Sequence, residues 1–233
     1  MKGIIITIEG GVQMSRFLGP IHHWLFNKIK LHEKLEVELI HAFTSKYGGE
    51  IDTIVEQAVN KYGTLLPDAP LDQLIDTDNI HGWLQSRISI AETRQAGILT
   101  SVFHNHGQEA IDIAMGLYRQ QGIQSGTDAQ SKGQVESAPG IYKALNNYIL
   151  DGMPCDNVNN VTTAEPNHVE WKNVQCLHKG YWEAVGADVK VFYQLRAEWT
   201  KSFVENANEA FTYTVSAADF NGTPGFVHQI IKK

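Results

Sequence analysis

Cysteine is almost absent from this chain of 233 residues: Cys155 and Cys176 are the only two. So few thiols exclude a disulfide framework, and a reducing cytoplasm is the expected compartment. Clustered Lys and Arg are also missing, and the formal net charge is -7. Phosphate backbones need concentrated positive charge, so no nucleic-acid partner is expected. Long apolar runs are lacking too. Ile4-Ile5-Ile6 is broken at once by Thr7 and Glu9, far short of a bilayer span, and no membrane partner is expected. There is no Walker loop, Rossmann glycine fingerprint, nucleophile elbow or zincin motif, and no internal repeat.

What is present is a globular composition, 42% apolar, with helical periodicity in its first half. Ile21, Trp24, Leu25, Ile29, Leu35, Leu39, Ile40 and Phe43 recur at three and four residues, and Gly48-Gly49 closes that helix. A second helix is expected over Ile51 to Tyr62, ended by Gly63, followed by an extended segment between Leu65 and Ala69 and a short helix or turn from Ile75 to Trp83. The longest helix is expected from about Ile88 to Gln121. Gly122 to Gly140, rich in Gly, Ser and Gln, reads as a mobile connection or lid before a helix over Ile141 to Leu150.

Farther on, Cys176 to Val185 reads as a short helix closed by Gly186. Val189, Val191, Tyr193, Leu195, Ala197 and Trp199 then alternate with polar residues, the period of a half-buried strand. Phe211, Tyr213 and Val215 form a second alternating run after the polar turn Glu205 to Glu209, so an antiparallel hairpin is expected. The fold class is α+β, with a helical N-terminal half and a small antiparallel sheet covered by helices. Three segments follow: residues 1–13 as an upstream extension, 14–93 as a helical region, and 94–233 as an α+β domain. Glu9-Gly10-Gly11 can be encoded by a purine-rich stretch like a bacterial ribosome-binding site, so Met14 is one reading of the natural start; an edge strand over Ile4 to Ile8 is the other.

His106 stands out as a candidate acid or base. Gly107 and Ala110 leave room beside it, and Glu109 shares its side of the helix. The competing reading is a core histidine bonded to a carbonyl. Cys176, at the start of a short helix with His178 two residues on, is a candidate nucleophile or an inert core thiol. Tyr181, Trp182 and Trp199, with Trp171 and Phe192, are candidates to line an aromatic pocket or are plain core. His22-His23, Glu38-x-x-His41, Asp78-x-x-His81 and His106-x-x-Glu109 have ligand spacing but do not reproduce the paired helical motif of di-iron proteins, and no metal or cofactor is assigned.

The ordering of Cys176, a helix, Gly186, the run Asp188 to Glu198, the polar turn and Phe211-Thr212-Tyr213 resembles vinyl-reductase-like small-ligand-binding domains and the related aminothiazoline-carboxylate hydrolase-like proteins. Phe103 to Gly126 resembles the family's earlier helix with its internal glycine. The late cysteines of many relatives are absent, with Glu198 and Ala210 near those places. The resemblance implies hydrolysis of a C–N bond in a small cyclic amidine or amide, with His106, Glu109, Cys176 and His178 in catalytic roles and Gly107, Ala110, Tyr181, Trp182 and Trp199 around the ligand. The alternative is a non-catalytic domain that binds or senses a small molecule. Trp24, Phe26 and Trp83 would serve a dimer surface in a third reading.

Overall fold

The computed structural model describes residues 18–173, 175–220 and 222–233. The start-site question at Met14 and the strand expected at Ile4 to Ile8 lie outside the described residues. Helix α1, Pro20–Tyr47, opens with proline at its first position, where the missing N–H costs nothing, and α2, Glu50–Tyr62, follows Gly48-Gly49. After α3, Leu71–Leu74, comes α4, Ile80–Lys132, which leaves helical geometry only at Gly107, whose φ is 61°. Helix α5, Ala138–Leu145, is capped by the Ser137 hydroxyl. Strands β1, Asn159–Glu165, and β2, His168–Asn173, precede the short α6, Lys179–Ala184, and α7, Val189–Ala207; β3, Phe211–Phe220, and β4, Thr223–Lys232, end the chain.

The expected α+β class is what the chain adopts: helices first, then a four-stranded antiparallel sheet in the order β1-β2-β4-β3. One core, running from Leu39 and Phe43 through Leu99, Val102 and Phe203 to Phe211 and Ile230, joins the N-terminal helices to the sheet. The boundary expected between residues 93 and 94 falls inside α4.

The segment Lys190 to Glu198 is a correction. It is helical, and β3 pairs with β4 instead of with it, Tyr213 facing Ile230 and Val215 facing His228. The alternation was real, but Phe192, Leu195, Trp199 and Phe203, spaced by three and four, are the residues α7 buries. Asp188 caps the helix, its carboxylate accepting the Lys190 amide at 2.9 Å. The hairpin partner is therefore downstream.

A second correction concerns the glycine-rich stretch expected as a lid. Residues 122–132 continue α4. A Cβ at Gly122 would lie 2.4 Å from the Trp199 carbonyl oxygen, and one at Gly126 would lie 2.3 Å from that of Phe203. These glycines let α4 and α7 cross at backbone contact. The helix expected over Ile141 to Leu150 is the shorter α5, which begins earlier and ends at Leu145.

Helix α7 lies between α4 and the sheet. Register places Trp171 of β2 opposite His228 of β4, and Tyr213 of β3 next to them, so these rings share the sheet face turned toward α7.

Candidate functional site around Arg196

The interior between α1, α4 and α7 holds charge where apolar packing would be cheaper. Arg94 is fully buried, its Nε donating to Glu36 Oε1 at 2.7 Å and its Nη2 to Glu33 Oε1 at 3.0 Å. Burial pushes Glu36 up to about 7 despite Arg94. Beside this cluster runs a second one. His178 Nδ1 is 3.0 Å from Glu92 Oε1, and its Nε2 is 3.5 Å from Asp151 Oδ1, an ion-pair separation longer than a good hydrogen bond. Arg196 Nη2 donates to Asp151 Oδ1 at 2.9 Å, and its Nη1 donates to the Leu150 carbonyl at 3.1 Å.

Burial alone would strip His178 of its charge, but Glu92, aided by Asp151, overcomes both burial and the repulsion of Arg196 and lifts it to about 9. The two carboxyls respond in kind. Burial favours their neutral forms, yet His178 holds Glu92 below the usual carboxylate range, and Arg196 and His178 hold Asp151 far below it. The chain Glu92, His178, Asp151, Arg196 is thus ionised throughout at neutral pH. Lys28, 3% exposed, lies within Coulomb reach of Asp151 and Arg196; burial lowers it to about 8. Its ammonium sits 3.9 Å from the Trp24 ring centroid, and among the described residues no carboxylate is at ion-pair distance from it.

Three small spaces meet at Arg196. The first, about 40 Å³, is bordered by His32, Glu92, Tyr118, Gln121 and Trp199. The second, also about 40 Å³, lies under the sheet against Asp151, Asn146, Trp171, Tyr213 and His228. The third, about 60 Å³, is closed by Tyr193, Val215 and Phe226. Each has room for a few waters or a few non-hydrogen atoms. Burial holds His32 below its usual range, so its ring is neutral, and its Nε2 is buried without a hydrogen-bond partner among the described residues. His228 is likewise held neutral, at about 4, by burial and Arg196, while its Nδ1 lies 2.7 Å from the Tyr213 hydroxyl. Trp199 Nε1 donates to Gln121 at 3.0 Å, and Tyr118 donates to Gln95 at 2.8 Å, so these walls are fixed.

Searches against protein-family models, curated proteins and solved structures found no match to this chain. Its site is read from its own residues.

The structure separates the residues expected from sequence. His106 does not face an enclosed cavity shared with the Cys176 to Trp182 segment. Its ring stacks on Tyr47 at 3.6 Å between centroids, and its Nε2 is 2.5 Å from Glu50 Oε1 near the surface. Glu109 is exposed and pairs with Lys46 at 2.7 Å. Gly107 allows the positive-φ break in α4, with no neighbour near the place of a Cβ, and Ala110 is packed into the core. Tyr181 reaches Ser89 and Gln85 on α4, and Trp182 packs on Phe192. Trp199 does line the chamber. Cys176 and His178 diverge: the imidazole turns inward to Glu92, while the thiol, which accepts the Lys179 amide at 3.2 Å, borders an outer groove of about 710 Å³.

Sequence reading missed Lys28, His32, Glu92, Asp151, Arg196 and His228. A signal existed in Glu92-Thr93-Arg94-Gln95, a charged and polar stretch between the apolar residues Ile88, Ala91, Ile98 and Leu99, and in His32-Glu33 on the apolar stripe of α1. Arg196 was hidden by the strand assignment, which turned it toward solvent.

Proposed function

We propose that this chain is a small-molecule-binding protein whose ligand places an anionic, acceptor-rich group, a carboxylate in the simplest case, in the chamber around Arg196. The hydrolase reading loses its footing, because the strand that anchored the resemblance is α7 and because the four residues expected to be catalytic do not converge.

The observation that carries the binding reading is a charge count. Within this second cluster Lys28, His178 and Arg196 supply three positive charges, Glu92 and Asp151 supply two negative ones, and the remainder is one positive charge among these five groups. An unbalanced buried charge is expensive, and one anion of a few atoms would neutralise it. Arg196 favours the same class. A guanidinium carries five N–H donors, and the described partners are the Leu150 carbonyl and Asp151. The flat walls of Trp171 and Tyr142 suit a planar group.

Calorimetric titration with acetate and with acetamide, which share a shape and differ in charge, tests the reading. Acetate should bind at neutral pH at least about tenfold more tightly than acetamide, and Lys28→Met should remove most of that difference while leaving the fold intact, since it breaks no described ion pair. Equal binding of the two probes, or binding of neither, would overturn the proposal.

A further inference from the structure

The chamber is small, and a ligand confined to it is weak. Affinity per non-hydrogen atom has a ceiling even for the best tiny ligands, so a group of about four atoms does not hold tightly by itself. Yet the chamber shares walls with something larger. Arg196, Tyr213 and His228 border both the space beneath the sheet and the one behind Tyr193 and Phe226, and those last two side chains also border the outer groove. The groove, about 710 Å³, runs between the start of α7 and the β3–β4 hairpin, and it falls in the size range of pockets that hold whole metabolites. Val189, Ala217, Ala218, Pro224 and Phe226 make much of its wall apolar. Its charged side chains cancel in pairs, Lys179 lying 3.5 Å from Glu183 and Lys190 lying 3.7 Å from Asp188. The Tyr193 and Phe226 rings meet edge to face, 4.7 Å apart, on the border between the groove and the space behind them, and Asn173 borders both the groove and the space beneath the sheet.

Building on the anion-binding reading, we infer that the ligand is an elongated amphipathic carboxylate, its head at Arg196 and its apolar body parting the Tyr193 and Phe226 rings to lie in the groove beside Cys176. Polarity supports this division of labour. The inner spaces carry Asp151, Arg196, Asn146 and His228, whereas the groove offers no uncompensated charge and broad apolar surface. The thiol then serves as a reporter of occupancy.

The test uses the full chain, three probes and one label. Acetate, octanoate and 4-phenylbutyrate are titrated by calorimetry, and alkylation of Cys176 by iodoacetamide is followed by mass spectrometry with exposed Cys155 as the internal reference. The longer probes should bind at least about tenfold more tightly than acetate through apolar burial, and should slow alkylation of Cys176 several-fold without affecting Cys155. Ala217→Trp, at an exposed groove position, should reduce the longer probes to the affinity of acetate and leave acetate unchanged. Equal affinity for short and long probes with no protection of Cys176 would overturn this inference while leaving the chamber reading in place. Failure of every probe would overturn both, and protection of Cys176 with affinity indifferent to Lys28→Met would overturn the chamber reading.

Discussion

Arg94 shows what a single buried charge demands. Its side chain is wholly inside, with Glu33 and Glu36 as its partners. Arg94→Met should therefore cost about 3–5 kcal/mol in urea unfolding, because Glu36 loses its cation in a low-dielectric site and Glu33 is left with only the more distant cation Arg87, at 3.8 Å. Glu36→Gln should cost clearly less, since Glu36 is already partly protonated at neutral pH. Equal costs would show that Arg94 contributes by packing and not by charge. His178 makes a pH-dependent prediction. Its folded value, about 9, lies above the ordinary 6.5, so its stabilising contribution is fully present below about pH 6.5 and is lost as the pH rises through 9. Unfolding measured across that interval should show a decline of a few kcal/mol. His178→Asn should be less stable at neutral pH and should lack most of that slope; a slope equal to that of the wild type would assign it to other groups. These residues were only partly legible. The polar stretch at Glu92 to Gln95 can be seen in the sequence, but which charge meets which depends on contacts such as Glu92 to His178, 86 positions apart.

At the scale of elements, the sequence is most informative where one period dominates. The helices of the first half and the run at Phe211 to Ser216 are plain in it. The start of α7 satisfies two periods at once, and length decides: 19 residues without Gly or Pro suit a helix better than a strand. Strand β1 is polar because both of its faces are largely exposed, so no alternation marks it, and β4 alternates only in part. Glycine meant close approach at Gly122 and Gly126, a packing role that composition alone cannot distinguish from flexibility. Gly126→Ala should thus lower the melting temperature clearly, as its Cβ would meet the backbone of α7. Gly116→Ala, on the same helix with open space around the site, should stabilise by about 0.5–1 kcal/mol. Similar effects at the two positions would contradict the close crossing of α4 and α7.

The whole molecule is a sheet face and a helical layer closed around ionised side chains. No helix of the described residues is long and apolar enough to cross a membrane. Trp171, Tyr213 and His228 come from three strands, Arg196 from α7, Glu92 from α4 and His32 from α1, so the chamber exists only when both halves of the chain are in place. That explains why no local motif announces it. The surplus positive charge of the cluster that includes Arg196 is the core of the functional account, and it titrates. Lys28 loses its proton near pH 8 and His178 near pH 9, and either loss removes the charge that an anion would neutralise. The most direct measurement is the acetate affinity of the folded wild-type chain from about pH 7 to about pH 9.5, with near-ultraviolet circular dichroism confirming the fold at each point. Affinity should be level up to about pH 8 and then fall by roughly tenfold per pH unit; an affinity that stays flat across the whole interval would contradict the account.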